Sequence, residues 1–228
     1  MDPKLQAASH ALAYVHSGMV LGLGSGTTAG HFVDLLGERL RSGALRDILG
    51  VPTSEATAVR ARRQGIPLTT LDEHCRLDLA VDGADEVDPK LNLIKGLGRA
   101  LVREKIVVTY ADRFVVLVDE AKLVSRLGTR CPLPIEIVPF AATPQVAWLN
   151  SISGRAELWA EAGGSPIVTD NGNYLVRCWF PGGIADPHAL ACTLAGRPGI
   201  VDHGLFLDVA TAVIVAGANG VRVLNRSF

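Results

Sequence analysis

Met19-Val20-Leu21-Gly22-Leu23-Gly24-Ser25-Gly26-Thr27-Thr28-Ala29 passes from a short apolar run, through glycines and hydroxyls, into a helical pattern that continues to Leu40. A buried strand turning into a helix over glycines is the opening unit of an α/β sheet. Glycines let the backbone approach a ligand. The N–H groups that start the helix, aligned with its dipole, favour an anion. Ser25, Thr27 and Thr28 add hydroxyls, so a phosphate is the natural guest. No Gly-Lys-Ser/Thr follows, which excludes a P-loop. The stretch Gly24-Ser25-Gly26-Thr27-Thr28-Ala29 also fits the loose dinucleotide pattern GxGxxA. A tight βα turn that merely needs small residues has the same spelling.

Working outward, residues 4–16 place Leu5, Ala8, Leu12 and Val15 on one helical stripe. Downstream, a strand at 48–51 ends in Pro52-Thr53-Ser54-Glu55 and leads into a helix to Gln64. A strand at 77–81 ends in Asp82-Gly83-Ala84-Asp85-Glu86. A helix is expected at about 98–110, a strand at 114–118 and a helix at 120–127. This alternation predicts a parallel sheet, with ligands beyond the carboxyl ends of its strands.

The pattern changes at Cys131-Pro132. A strand at 133–138, a helix at 143–151 and a strand at 155–159 are expected. Asn171-Gly172 marks a hairpin between 167–169 and 174–180. Asp186-Pro187 opens a helix to 194, and a strand follows at 199–203. The order β-α-β-β-α-β is ferredoxin-like. Strands at 212–216 and 221–224 return to the first sheet. The expected fold is α/β: a Rossmann-like, parallel-rich sheet domain of residues 1-130 plus 205-228, with an inserted ferredoxin-like α+β small domain at 131-204.

Composition narrows the function. The 228 residues carry 22 Lys+Arg against 23 Asp+Glu, a net charge of −1. That excludes a broadly basic nucleic-acid surface and a solvated acidic disordered chain. No apolar run reaches the ~18 residues of a membrane span. The start Met1-Asp2-Pro3-Lys4 has no basic region leading into an apolar one, so no signal peptide is expected. Cys75, Cys131, Cys178 and Cys192 are too sparse for a zinc knuckle or a disulfide scaffold, which fits reduced thiols in a cytoplasmic protein. The six histidines show no HxH or HExxH spacing, so no metal site is expected on them.

Two further stretches carry chemistry. Asp82, Asp85, Glu86 and Asp88 crowd the end of a buried strand. Such carboxylates suit proton shuttling or hydroxyl binding, could hold a divalent cation, or form an ordinary acidic turn. Beyond them, Lys95 follows an apolar run and precedes Gly96-Leu97-Gly98, so its ammonium can face a cleft or simply solvent. At 100° per residue, Glu104 projects among Ala100, Leu101 and Val108, on an apolar arc. Burial there strengthens a general base; a core-edge glutamate paired with a neighbouring cation, for which Arg103 and Lys105 are at hand though elsewhere on the wheel, is the bland alternative. A phosphate cradle, hydroxyl-binding carboxylates, a cation and a semi-buried base together form the set needed for aldose–ketose isomerisation of a sugar phosphate. No metal and no redox cofactor is required.

The chain resembles ribose-5-phosphate isomerase of type A. The resemblance rests on Gly22-Leu23-Gly24-Ser25-Gly26-Thr27-Thr28-Ala29, Val81-Asp82-Gly83-Ala84-Asp85-Glu86, Ile94-Lys95-Gly96-Leu97-Gly98 and Leu101-Val102-Arg103-Glu104-Lys105-Ile106. It continues through Pro132-Leu133-Pro134-Ile135-Glu136-Ile137-Val138-Pro139, Thr169-Asp170-Asn171-Gly172-Asn173, and Pro198-Gly199-Ile200-Val201 with Gly204-Leu205-Phe206. It implies interconversion of D-ribose 5-phosphate and D-ribulose 5-phosphate via an enediolate, in the non-oxidative pentose phosphate pathway. It implies Glu104 as the base, Asp82 and Asp85 on sugar hydroxyls and ring opening, and Lys95 on the enediolate. Substrate binding would involve Ser25, Gly26, Thr27, Thr28, Gly83, Ala84, Gly96, Leu97 and Gly98, with Lys4 and Lys122 near the phosphate. It also implies no cofactor, no metal, and a homodimer or homotetramer.

Three positions depart from the family pattern. Leu97 stands where many members have glycine, which suits a loop offering only its backbone. Arg99 replaces a small residue and either alters local charge or points to solvent. Arg177 stands where an acidic residue is more usual. Two other readings compete with the isomerase. A nicotinamide-dependent oxidoreductase needs an acidic residue about 20 positions past the glycines, and Glu55 lies too far on. A non-catalytic sugar-phosphate sensor would leave the base Glu104 without a role.

Overall fold

A computed structural model of the protein describes residues 2–226. The chain runs α1 (Pro3–Ala11), β1 (Val20–Leu23), α2 (Thr27–Arg41), β2 (Leu49–Pro52), α3 (Glu55–Arg63), β3 (Leu79–Gly83), β4 (Glu86–Val87), β5 (Leu93–Ile94), α4 (Leu101–Thr109) and β6 (Phe114–Asp119). It continues with β7 (Leu133–Ile137), α5 (Ala142–Ile152), β8 (Arg155–Leu158), β9 (Tyr174–Trp179), α6 (Pro187–Ala195), β10 (Ile200–His203), β11 (Leu205–Phe206), β12 (Ala212–Gly217) and β13 (Gly220–Asn225). The described residues fall into two compact units: 2–84, 103–122 and 209–226 in the first, 85–102 and 123–208 in the second.

The first unit is built on a six-stranded sheet of order β13-β12-β6-β3-β1-β2. Every neighbouring pair is parallel except the edge pair β12–β13. The chain steps from β1 to β2 in one direction and then to β3 in the other. The switch point therefore lies between β1 and β3, where α/β sheets hold their ligands. Strands covered on both faces are almost wholly apolar, as in the buried run Phe114, Val115, Val116, Leu117 and Val118 of β6. On one face, Ala7, Ala8 and Ala11 of α1 and Phe32, Val33 and Leu36 of α2 join Leu21, Leu23, Val81 and Leu117 in one core. On the other face α4 approaches so closely that a Cβ on Gly22 would lie 2.5 Å from Val107 Cγ1. α2 and α3 are tied by Arg60, whose Nε donates to Asp34 Oδ1 at 2.9 Å while Nη2 bonds Oδ2. That guanidinium holds the Asp34 carboxyl below its ordinary value.

The second unit carries a four-stranded antiparallel sheet of order β10-β7-β9-β8. Numbered within β7-α5-β8-β9-α6-β10, that is order 4-1-3-2, the ferredoxin-like arrangement expected from the pattern. Leu149 of α5 and Leu194 of α6 pack on Leu133, Ile135, Ile137 and Val176. Asp186 caps α6 by accepting the N–H groups of His188 and Ala189, both at 3.0 Å. Cys178 lies in this core, where burial pushes its thiol up to about 12.

A second, three-stranded sheet of order β11-β5-β4 was not expected. It moves the domain limits away from 1-130 plus 205-228 and 131-204. β5 pairs antiparallel with both β4 and β11, and the Lys95 N–H donates to Gly204 O at 2.8 Å. Residues 85–102, 123–130 and 205–208 therefore belong with the second unit. Two local expectations also change. The helix at 120–127 shrinks to a 3₁₀ turn, Glu120–Lys122, because the chain beyond it bonds β4, with Val124 N–H donating to Val87 O at 2.9 Å. The strand at 167–169 reduces to a single bridge between Val168 and Tyr174. α1 stops at Ala11 and tightens into a 3₁₀ turn, Leu12–Tyr14, before Gly18 (φ +88°) turns the chain into β1.

Candidate active site

In the first unit, the loops after β1, β2, β3 and β6 all leave the same edge of the parallel sheet. Gly26 caps α2 with φ +91°, a backbone region open chiefly to glycine. Thr27 and Thr28 occupy the first turn of α2, where the N–H groups have no intrahelical acceptor. Lys4 Nζ donates to Thr27 Oγ1 at 3.1 Å, so the N-terminal helix delivers a cation to the glycine turn. Lys122 is half-buried in the 3₁₀ turn that follows β6. Gly83 lies beside Thr28, whose Cβ is 3.8 Å from where a Cβ on Gly83 would stand.

Asp82 is the penultimate residue of β3 and is 2 % exposed. Its Oδ1 accepts the Ser25 N–H at 3.1 Å and the Gly83 N–H at 2.7 Å. Two amides fix one oxygen of the carboxylate beside the glycine turn. The Ser25 hydroxyl is engaged by other hydroxyls of the protein. It sits in a knot with Thr53 Oγ1 (2.8 Å), Ser54 Oγ (2.7 Å) and Thr57 Oγ1 (3.1 Å), and Thr57 Oγ1 donates to Gly24 O. The knot clamps the turn against the start of α3. Thr57 is a residue the sequence reading missed. Its signal was the buried hydroxyls after β2, where Ser54 caps α3 by accepting the Thr57 N–H.

Glu104 is 2 % exposed on α4, and Leu101 and Val108, about one turn to either side, are buried as well. The helical phase read from the sequence therefore holds. Glu55, the weak candidate for a dinucleotide ribose, is held by Arg103 Nη1 at 2.9 Å.

In the second unit, Asp85 and Lys95 stand at the two ends of the β4–β5 hairpin. Asp85 N–H donates to Ile94 O at 2.8 Å, and Asp85 Oδ2 accepts the Leu97 N–H at 3.0 Å. Lys95 is 2 % exposed, with Nζ 5.4 Å from the centre of the Phe206 ring. Gly96 has φ +106°, and a Cβ there would lie 2.9 Å from Leu101 Cβ. The Arg99 N–H closes a turn onto Gly96 O at 2.9 Å, with Leu97 and Gly98 at its corners. Leu97 is engaged through its amide, so a long side chain is accommodated there.

Two carboxylates of the acidic cluster are structural. Glu86 is fully buried, and its oxygens accept the amides of Gly128, Arg130 and Cys131. Asp88 accepts the Lys90 and Asn92 amides. Glu136 is likewise buried, its Oε1 accepting from Thr169 Oγ1, Asn171 Nδ2 and Asn173 Nδ2. That explains Thr169-Asp170-Asn171-Gly172-Asn173 as a hairpin held from beneath. Arg177 pairs with Glu157 on the neighbouring strand. Among the described residues, no three His, Cys, Asp or Glu side chains are grouped to hold a metal ion, and no helix is long and apolar enough to cross a membrane.

Residues 49–220 match the family model for ribose 5-phosphate isomerase A (phosphoriboisomerase A). A ribose-5-phosphate isomerase A of Roseiflexus castenholzii is 52% identical over 220 residues, covering 96% of this chain and 94% of that protein. Among solved structures, a D-ribose-5-phosphate isomerase in complex with phospho-erythronic acid superposes with a TM-score of 0.95 at 45% identity, over 99% of this chain and 98% of that one. The ribose 5-phosphate isomerase A of Methanocaldococcus jannaschii gives a TM-score of 0.92 at 40% identity, over 98% of each chain. By the family model that matches three quarters of its length and by relatives of this identity, this chain belongs to the ribose 5-phosphate isomerase A family.

Proposed function

We propose that the protein interconverts D-ribose 5-phosphate and D-ribulose 5-phosphate, an aldose–ketose isomerisation of the non-oxidative pentose phosphate pathway. The observation that carries this reading is a buried carboxylate, Glu104, on an otherwise apolar stripe of α4, in the same unit as an anion-favouring turn at a switch point. A solved relative is described in complex with phospho-erythronic acid, a phosphorylated sugar acid of related chemistry.

Each role follows from the chemistry of its group. Glu104 is the base. It takes the proton from C2 while the C1 carbonyl accepts the electron pair, giving an enediolate. The C2 hydroxyl proton then passes to the C1 oxygen while Glu104 returns its proton to C1, which completes the ketose. Lys95 neutralises the enediolate oxygen, a contribution that grows as charge develops. Asp82 and Asp85 accept from sugar hydroxyls and assist ring opening. Amides of residues 26–28, 83–84 and 96–98 bind the substrate, and Lys4 and Lys122 attract its phosphate. The step needs neither metal nor redox cofactor. We assign the Ser25 contribution to its place in the turn, since its hydroxyl is held by Thr53, Ser54 and Thr57. We further infer a cytoplasmic homodimer or homotetramer, which light scattering on the purified protein tests.

The decisive experiment is a coupled assay for ribulose 5-phosphate formation from ribose 5-phosphate, run with and without EDTA. Turnover that survives EDTA is expected. No turnover overturns the assignment, and a loss restored by a divalent ion overturns the metal-free mechanism.

A further inference from the structure

Arg99 has a feature its sequence position did not reveal. Its backbone is left-handed, φ +68°, a conformation that a residue with a β-carbon keeps only where its surroundings hold it. It closes the turn that begins at Gly96. Its guanidinium carbon lies 5.4 Å from the centre of the Trp159 ring, and Nη1 bonds Glu161 Oε1 at 2.8 Å.

Trp159 is a firm anchor for that contact. Its N–H donates to Leu175 O at 2.7 Å, and its carbonyl accepts the Ile167 N–H at 2.8 Å. Its ring packs on the small core of Leu101, Ile167 and Leu175. A second guanidinium, of Arg177, lies 5.2 Å from the same ring and is itself bonded to Glu157. Glu161 is placed by a tight turn in which its N–H donates to Ser165 O at 2.9 Å. Two of the three departures from the family pattern, Arg99 and Arg177, thus converge on one tryptophan.

We propose that Arg99 is a positioning residue for the isomerase reaction: stacked on Trp159 and bonded to Glu161, it fixes the Gly96-Leu97-Gly98 turn and so the Lys95 ammonium and the loop amides. The proposal rests on the isomerase reading for its catalytic consequence, but the clamp itself does not. Stacking and ion pairing at a half-exposed site are individually modest. Together they are expected to change kcat/KM about three- to tenfold.

The test uses R99A, R99G, R99K and W159F in the full-length protein, with two readouts. The first is steady-state turnover of ribose 5-phosphate beside thermal unfolding. The second is amide hydrogen exchange across residues 95–100, where the Lys95, Leu97 and Arg99 amides are bonded. R99A is expected to lower kcat/KM about three- to tenfold, with an almost unchanged thermal midpoint and faster exchange of these amides. R99G relieves the left-handed backbone yet should lose as much, whereas R99K and W159F should recover part of the loss. Wild-type behaviour of R99G in both readouts overturns the clamp, as does unchanged exchange in R99A. Unchanged kcat/KM in R99A overturns the positioning role. A wild type without isomerase activity, in which R99A still loosens 95–100, overturns the functional reading and leaves the clamp standing.

Discussion

The backbone of Gly24 runs so close to Asp82 that a Cβ built on Gly24 would lie 2.3 Å from the carboxyl carbon. The end of β1 and the end of β3 are therefore in contact at the switch point, and only a missing side chain allows it. Gly24→Ala must push the buried carboxylate aside, an overpacking that costs roughly 1–3 kcal/mol. A drop in kcat/KM of at least about tenfold is expected, with a thermal midpoint lower by several degrees. Turnover at the wild-type rate would show that Asp82 need not stand where it does.

Glu104→Gln keeps shape and removes the base. General-base catalysis supplies about 10²–10⁴-fold, so kcat should fall by that factor while KM stays near its wild-type value. Steady-state kinetics on folded protein, checked by circular dichroism, decides the matter. Near-normal turnover would end the assignment.

Lys4 touches Thr27 in the glycine turn, and Lys122 follows β6 on the same sheet edge. Charge-assisted contacts to a phosphate are worth about 1.5–3 kcal/mol. Lys122→Ala should therefore raise KM about tenfold or more while largely sparing kcat. An unchanged KM removes Lys122 from phosphate binding.

The Asp34–Arg60 pair predicts a pH dependence of stability. Arg60 holds the Asp34 carboxyl below its ordinary value of 3.8. A depressed folded pKa stabilises the protein above the unfolded value, and that contribution disappears as pH falls through the folded value. Both side chains are partly exposed, so the pair is worth less than about 1 kcal/mol. Asp34→Asn should lower stability slightly at pH 7, and the deficit should shrink below about pH 4. Urea unfolding at several pH values measures it; a deficit independent of pH would contradict the linkage.

Burial pushes the Cys178 thiol up to about 12, so it stays protonated at any working pH. Cys75 and Cys192 are exposed. Iodoacetamide at pH 8 should modify those two in the native protein and reach Cys178 only after unfolding, as peptide mass mapping would show. Modification of native Cys178 would mean that the core under β9 opens readily.

Much of this architecture was readable because local and global signals agreed. β1 leading into α2 shows glycine chemistry and helical periodicity in one stretch. Glu104 was readable as a buried carboxylate because the 3.6-residue period alone places it with Leu101 and Val108. Other features needed partners remote in sequence. β4, β5 and β11 have two residues each, too few for any period to show. Residues 123–127 look helical, yet Val124 bonds Val87 instead. Glu86 and Asp85 are neighbours of one chemical type. Only the fold shows that amides at Gly128, Arg130 and Cys131 occupy Glu86, while Asp85 turns to the Lys95 loop. The ring beneath Arg99 lies 60 positions downstream, beyond any spacing rule.

The parallel pairing of β6 with β12 has a consequence for how the chain reaches this state. Val115 meets Ala212 in register, so the β6–β12 ladder closes only after residues 120–211 have emerged. Contacts of that sequence separation are slow to form, because the connecting chain loses freedom before the ladder compensates. During synthesis, β1, β2, β3 and β6 can assemble while β6 still presents an unpaired apolar edge. The second unit, by folding early, would shorten the effective distance between its own ends. The order of emergence from the ribosome thus makes prompt folding of the insert the protection against aggregation through β6.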